Sequence, residues 1–70
     1  MIKNAVYICR STVKLWDAFF YPGNQVTFLD SGKDEFELET VRIQTEEQNK
    51  IVCSKYLFST NFILLTKKKG

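Results

Sequence analysis

Tyr21-Pro22-Gly23-Asn24-Gln25-Val26-Thr27-Phe28-Leu29-Asp30 decides the fold class of this chain. Pro22 pre-sets the φ that the second position of a type II turn needs, and Gly23 supplies the positive φ of the third. The turn over Tyr21–Asn24 feeds straight into Gln25–Asp30, where Val26 and Phe28 share one face. That alternation reads as a strand with an apolar side. Upstream, Ile2–Cys9 is rich in β-branched and aromatic residues and reads as a strand covered on both faces. Residues 10–24 fit two descriptions. Val13, Trp16 and Phe20 would share a helix face, as would Leu15 and Phe19, giving one short helix. The alternative is a long aromatic loop over the core.

Downstream, Asp30–Lys33 has turn composition. Residues 35–45 read as a third strand in which Phe36 and Leu38 alternate with Glu35, Glu37 and Glu39. Val41 and Ile43 then fall one step out of phase, which a β-bulge near Glu39 and Thr40 would repair. Thr45–Lys50 is a polar hairpin tip. Ile51–Leu57 is a fourth strand, or a strand running into one helical turn capped by Ser54. Asn61–Thr66 is the last strand, and Lys67–Gly70 is expected to form a flexible basic tail. The expectation is a single all-β domain over residues 1–66. It is a small five-stranded barrel or a strongly bent antiparallel sheet, with at most one short helical turn.

The chain has 70 residues, 44% hydrophobic and 14% aromatic. So short a chain closes a core only with bulky side chains. It has no room for a nucleotide-binding α/β domain, no apolar run long enough for a membrane helix, and no signal-peptide pattern at its start. Charge is polarised along it. Lys3, Arg10 and Lys14 against Asp17 give +2 over residues 1–29. Asp30, Asp34, Glu35, Glu37, Glu39, Glu46 and Glu47 against Lys33 and Arg42 give −5 over residues 30–47. Lys50, Lys55, Lys67, Lys68 and Lys69 give +5 over the remainder. Without the three tail lysines the rest carries −1, so no basic stripe of the kind nucleic-acid binders display is evident. Cys9 and Cys53 lie too far apart for a CxxC pair and inside apolar runs. They read as two buried free thiols of a cytoplasmic protein, with a disulfide the alternative if their strands are neighbours.

The first strand ends in Ile8-Cys9-Arg10, an irregular segment follows, and Tyr21–Phe28 spells aromatic-Pro-Gly-x-x-Val-x-Phe. The chain then closes on Ser54-Lys55-Tyr56-Leu57-Phe58 and Asn61-Phe62-Ile63-Leu64-Leu65. This pattern resembles the small Src-homology-3-like barrel proteins of bacteriophage and prophage genomes. It covers most of the chain, although Phe36–Ile43 is longer than the family pattern. The resemblance implies an accessory binding protein in the bacterial cytoplasm, with residues 11–20 as the long first loop of the barrel.

Histidine is absent, and no Ser-His-Asp, Cys-His or glycine-rich phosphate pattern exists. The expectation is a non-enzyme with no cofactor and no metal. Glu35, Glu37 and Glu39, alternating on one strand face, have the geometry to hold a hard cation. Their ordinary role is a solvated face that repels edge pairing. They could also mimic phosphate charge and steer the chain to a partner protein. Trp16, Phe19, Phe20 and Tyr21 form the second constellation. Phe19 and Phe20 are expected in the core, and Trp16 and Tyr21 outside it as protein-binding anchors. The expected partner is therefore another protein, a bacterial host factor, bound through Trp16, Tyr21, Glu35, Glu37 and Glu39. One alternative is nucleic-acid binding through Lys14, Trp16, Tyr21, Lys67, Lys68 and Lys69. Another is self-association, as a homo-dimer through strand edges.

Overall fold

The computed structural model describes residues 2–65. The element order is β1 (Val6–Cys9), β2 (Val13–Leu15), β3 (Ala18–Phe20), β4 (Gln25–Lys33), β5 (Glu39–Thr45), β6 (Lys50–Ser54), α1 (Lys55–Asn61) and β7 (Phe62–Leu64). Five strands form one antiparallel sheet in the order β6-β5-β4-β1-β7, and β2 and β3 pair as a separate two-stranded hairpin. The protein is thus mostly β with one helix. The large sheet is open, ending at β6 and β7.

The type II turn is in place. Asn24 N–H donates to the Tyr21 carbonyl at 2.9 Å, Gly23 has φ +101°, and the Asn24 side chain accepts from Tyr21 N–H at 2.9 Å. β4 then runs to Lys33, past the turn expected at Asp30–Lys33. It pairs through its first residues with β1 and from Val26 to Lys33 with β5. The reversal comes later, at Asp34–Leu38. There the Asp34 carboxylate accepts from Phe36 N–H and Leu38 N–H at 2.8 and 3.0 Å. An aspartate that can bond its own following backbone competes well against strand pairing. Phe36 and Leu38 therefore sit in a turn, and Val41 and Ile43 need no phase correction within β5. The bulge lies in β4 instead, where the register shifts between Phe28 and Asp30.

Residues 11–20 form neither a helix nor an irregular loop. Val13, Lys14 and Leu15 face Phe20, Phe19 and Ala18 across the hairpin. The first strand is also shorter than expected. Asn4 has φ +64°, a conformation asparagine tolerates, and extended pairing begins only at Val6. At the other end, Ser54 Oγ accepts from Leu57 N–H at 3.0 Å and caps the helix.

Tyr7, Cys9, Leu15, Phe20, Val26, Phe28, Val41, Ile43, Cys53, Phe58 and Phe62 make one core. Its centre is aromatic. Phe58 stacks on Phe62 with centroids 5.0 Å apart and packs against Tyr7 at 5.0 Å, and Phe20 meets Phe62 edge-on at 5.7 Å. Cys9 and Cys53 are both buried and free. Burial pushes the Cys53 thiol up to about 11. It raises Cys9 as well, with a hydrogen bond from the Ser11 backbone pulling the other way.

Candidate functional site

The β2–β3 hairpin buries one face and exposes the other. Leu15 and Phe20 point into the core, while Lys14, Phe19 and, just beyond the strand, Tyr21 point outward. Two adjacent aromatics on a strand cannot both face inward. The expectation of a buried Phe19 therefore fails, and Phe19 is 55% exposed. Its ring stacks nearly parallel to Tyr21, 15° apart with centroids at 6.3 Å. The Lys14 ammonium sits 5.5 Å from the Phe19 centroid. These three residues form a cation–aromatic row on a firmly anchored hairpin. The period of two in Ala18-Phe19-Phe20 could have revealed it.

Trp16 stands at the hairpin tip and is 73% exposed. It is the first of two loop residues between paired Leu15 and Ala18, and it alone of the two has positive φ, +59°. That is the position glycine usually takes in a two-residue hairpin. A bulky aromatic there is strained. Its indole N–H donates to the Val52 carbonyl on β6, so the tip is tied to the middle of an edge strand. Trp16 and Tyr21 are both exposed, but Trp16 also has an internal duty.

Glu35, Glu37 and Glu39 do not share a strand face. Glu35 and Glu37 belong to the Asp34–Leu38 turn, with Glu37 at φ +65°, and only Glu39 lies in β5. Glu39 pairs with Lys55 at 3.0 Å. The hydrogen bond from Lys55 holds its carboxyl below the usual range. Asp30 is taken by Arg42 through two hydrogen bonds, at 2.6 and 3.1 Å. Among the described residues, no three His, Cys, Asp or Glu side chains are grouped to hold a metal. The same turn exposes Phe36 and Leu38 by 74% and 62%. It lies at the opposite end of β5 from Glu46 and Glu47. Lys67, Lys68 and Lys69 lie outside the described residues.

Concave space is limited. One recess, of about 380 Å³, is open and bordered by Lys3, Phe28, Asp30, Ser31 and Lys55. Another, of about 190 Å³, lies between β3 and the β5–β6 turn. Small-molecule sites run from roughly 300 to 1,000 Å³ and enclose most of the ligand. No helix among the described residues is long and apolar enough to cross a membrane. Comparison with protein-family models, curated proteins and solved structures found no match to this chain.

Proposed function

We propose that this chain is a non-enzymatic binding protein that docks on another protein through the outward face of the β2–β3 hairpin. Lys14, Phe19 and Tyr21 form the contact row, and Trp16 holds the tip in place. The observation that carries this reading is the stacked, exposed Phe19–Tyr21 pair on a hairpin whose other face is locked into the core. Rigid aromatics beside a cation supply contact area at little entropic cost, which is why such residues dominate protein interfaces. Phe36 and Leu38, held out by the Asp34 turn, offer a second apolar contact at the far end of β5.

Modulation of a bacterial host factor by a phage-encoded protein is the biological form we favour, and it rests on the sequence resemblance. So does the reading of the sheet as an opened Src-homology-3-like barrel. The strand order β6-β5-β4-β1-β7 supports that reading, with a hairpin inserted between β1 and β4 and a helix before β7. Edge-to-edge self-association is disfavoured by two features. β7 has only three residues, and β6 is engaged at Val52 by Trp16.

The test is capture from bacterial lysate with tagged protein, with and without nuclease. One protein retained at near-equal stoichiometry in both lanes is the expected result. Capture that disappears with nuclease would move the function to nucleic acid, with Lys14 and the aromatic row stacking bases.

A further inference from the structure

β4 outlasts its neighbour β1. The chain turns away from β4 at Asn4, whose N–H donates to the Phe28 carbonyl at 2.7 Å. Beyond that bond, residues 30–33 have a strand on one side only, β5. In antiparallel pairing, alternate residues direct their peptide groups to one neighbour and those between direct theirs to the other. Thr45 N–H donates to the Asn49 carbonyl, so Thr45, Ile43 and Val41 face β6. Arg42 and Thr40 then face β4, at Asp30 and Gly32. The bond from Asp34 N–H to the Leu38 carbonyl, 3.0 Å, continues the same alternation. Ser31 and Lys33 are left with outward N–H and carbonyl groups that meet no strand among the described residues. The 380 Å³ recess borders this edge through Ser31, with Lys3 and Lys55 on its rim. Ser31 lies opposite the fully buried Val41, so its side chain is on the core face of the sheet. Asp30 is held by Arg42 and Glu39 by Lys55, while Lys3 and Lys33 form no ion pair among the described residues. Unused backbone groups and unpaired positive charge thus occur together. Edge lysines deter a basic strand, a second copy of this same edge included, and attract an acidic one.

We propose that the free edge of β4 at Ser31–Lys33 accepts an extended acidic segment of another protein as an added strand. Directly opposed residues on neighbouring strands point to the same face. A glutamate opposite Ser31 therefore enters the recess beside Lys3 and Lys55. Main-chain bonds to Ser31 and Lys33 hold the segment, and the carboxylate selects it. This edge lies at the other end of β4 from Gln25, which borders β3, and it does not depend on the hairpin reading.

The test titrates the full isotope-labelled chain with the blocked peptide acetyl-Thr-Val-Glu-Val-Thr-amide and follows backbone amide resonances and their hydrogen exchange. Controls are the same peptide with glutamine for glutamate, inorganic phosphate, and dilution of the chain alone. Saturable shifts centred on Lys3, residues 30–33 and Lys55 are expected with the glutamate peptide, with slowed exchange at the Ser31 and Lys33 amides. The glutamine peptide should bind about fivefold more weakly. Lys3→Gln, at an exposed position, should weaken the glutamate peptide about threefold while the amide spectrum stays folded. No shifts up to about 10 mM peptide, shifts elsewhere, equal binding of both peptides, or unchanged affinity in Lys3→Gln would overturn the proposal. Shifts without slowed exchange at Ser31 and Lys33, or the same shifts with phosphate, would reduce the edge to an anion contact and overturn it too. The same amides shifting on dilution of the chain alone would assign the edge to a second copy instead.

Discussion

Trp16 shows how one side chain can serve the fold and the surface together. Its positive φ costs energy that a glycine would not incur, and the indole bond to Val52 offsets part of it. Trp16→Phe keeps the strain and removes the donor. It should lower stability by about 1 kcal/mol, measured as a shift in urea midpoint without a change in slope. Cys53 makes a different prediction. Its thiol is raised to about 11 by burial, from an ordinary 9.0. The folded state therefore favours the neutral thiol. The stability this gives is fully present below pH 9 and is lost as pH rises towards 11, because the unfolded chain ionises first. Unfolding titrations over pH 8–11 should show that decline, and Cys53→Ala should flatten it.

Among the elements, the helix is the most locally encoded. Ser54 caps it through Leu57 N–H, so Ser54→Ala should cost about 1 kcal/mol, read from the thermal midpoint against the native chain. That cap was legible in the sequence, as were the Tyr21–Asn24 turn and the Val26/Phe28 face, because each depends on neighbours in the chain. The hairpin at residues 13–20 was not legible. Val13, Leu15, Trp16, Phe19 and Phe20 satisfy both a helical and a pleated spacing, and pairing against the core decided between them. The Asp34 turn was missed for a related reason. Glu35–Glu39 alternates like a strand, but the Asp34 carboxylate captures Phe36 N–H and Leu38 N–H, and this local bonding overrides the pattern. Once the reversal moves from Asp30–Lys33 to Asp34–Leu38, the shared glutamate face disappears. Part of the candidate site was visible as residue types, in Lys14, Trp16 and Tyr21. Phe19 joined them only once the β2–β3 pairing replaced the helical reading and its pleat turned Phe19 outward.

For the molecule as a whole, a few aromatics close a core that a 70-residue chain could not otherwise fill. Phe58 is fully buried and touches Tyr7, Phe28 and Phe62. Phe58→Ala should cost about 3–5 kcal/mol, enough to unfold a domain this small, and loss of dispersed amide resonances would show it. The outward aromatics carry no such burden. The proposed role of Phe19 and Tyr21 is to bind another protein. The measurement to make is the stoichiometry of partner retained from nuclease-treated bacterial lysate by the native chain and by the Phe19→Ser/Tyr21→Ser variant, both checked for equal thermal midpoints. One protein retained by the native chain and at least a tenfold loss in the variant are expected. Equal retention by both would rule out this interface.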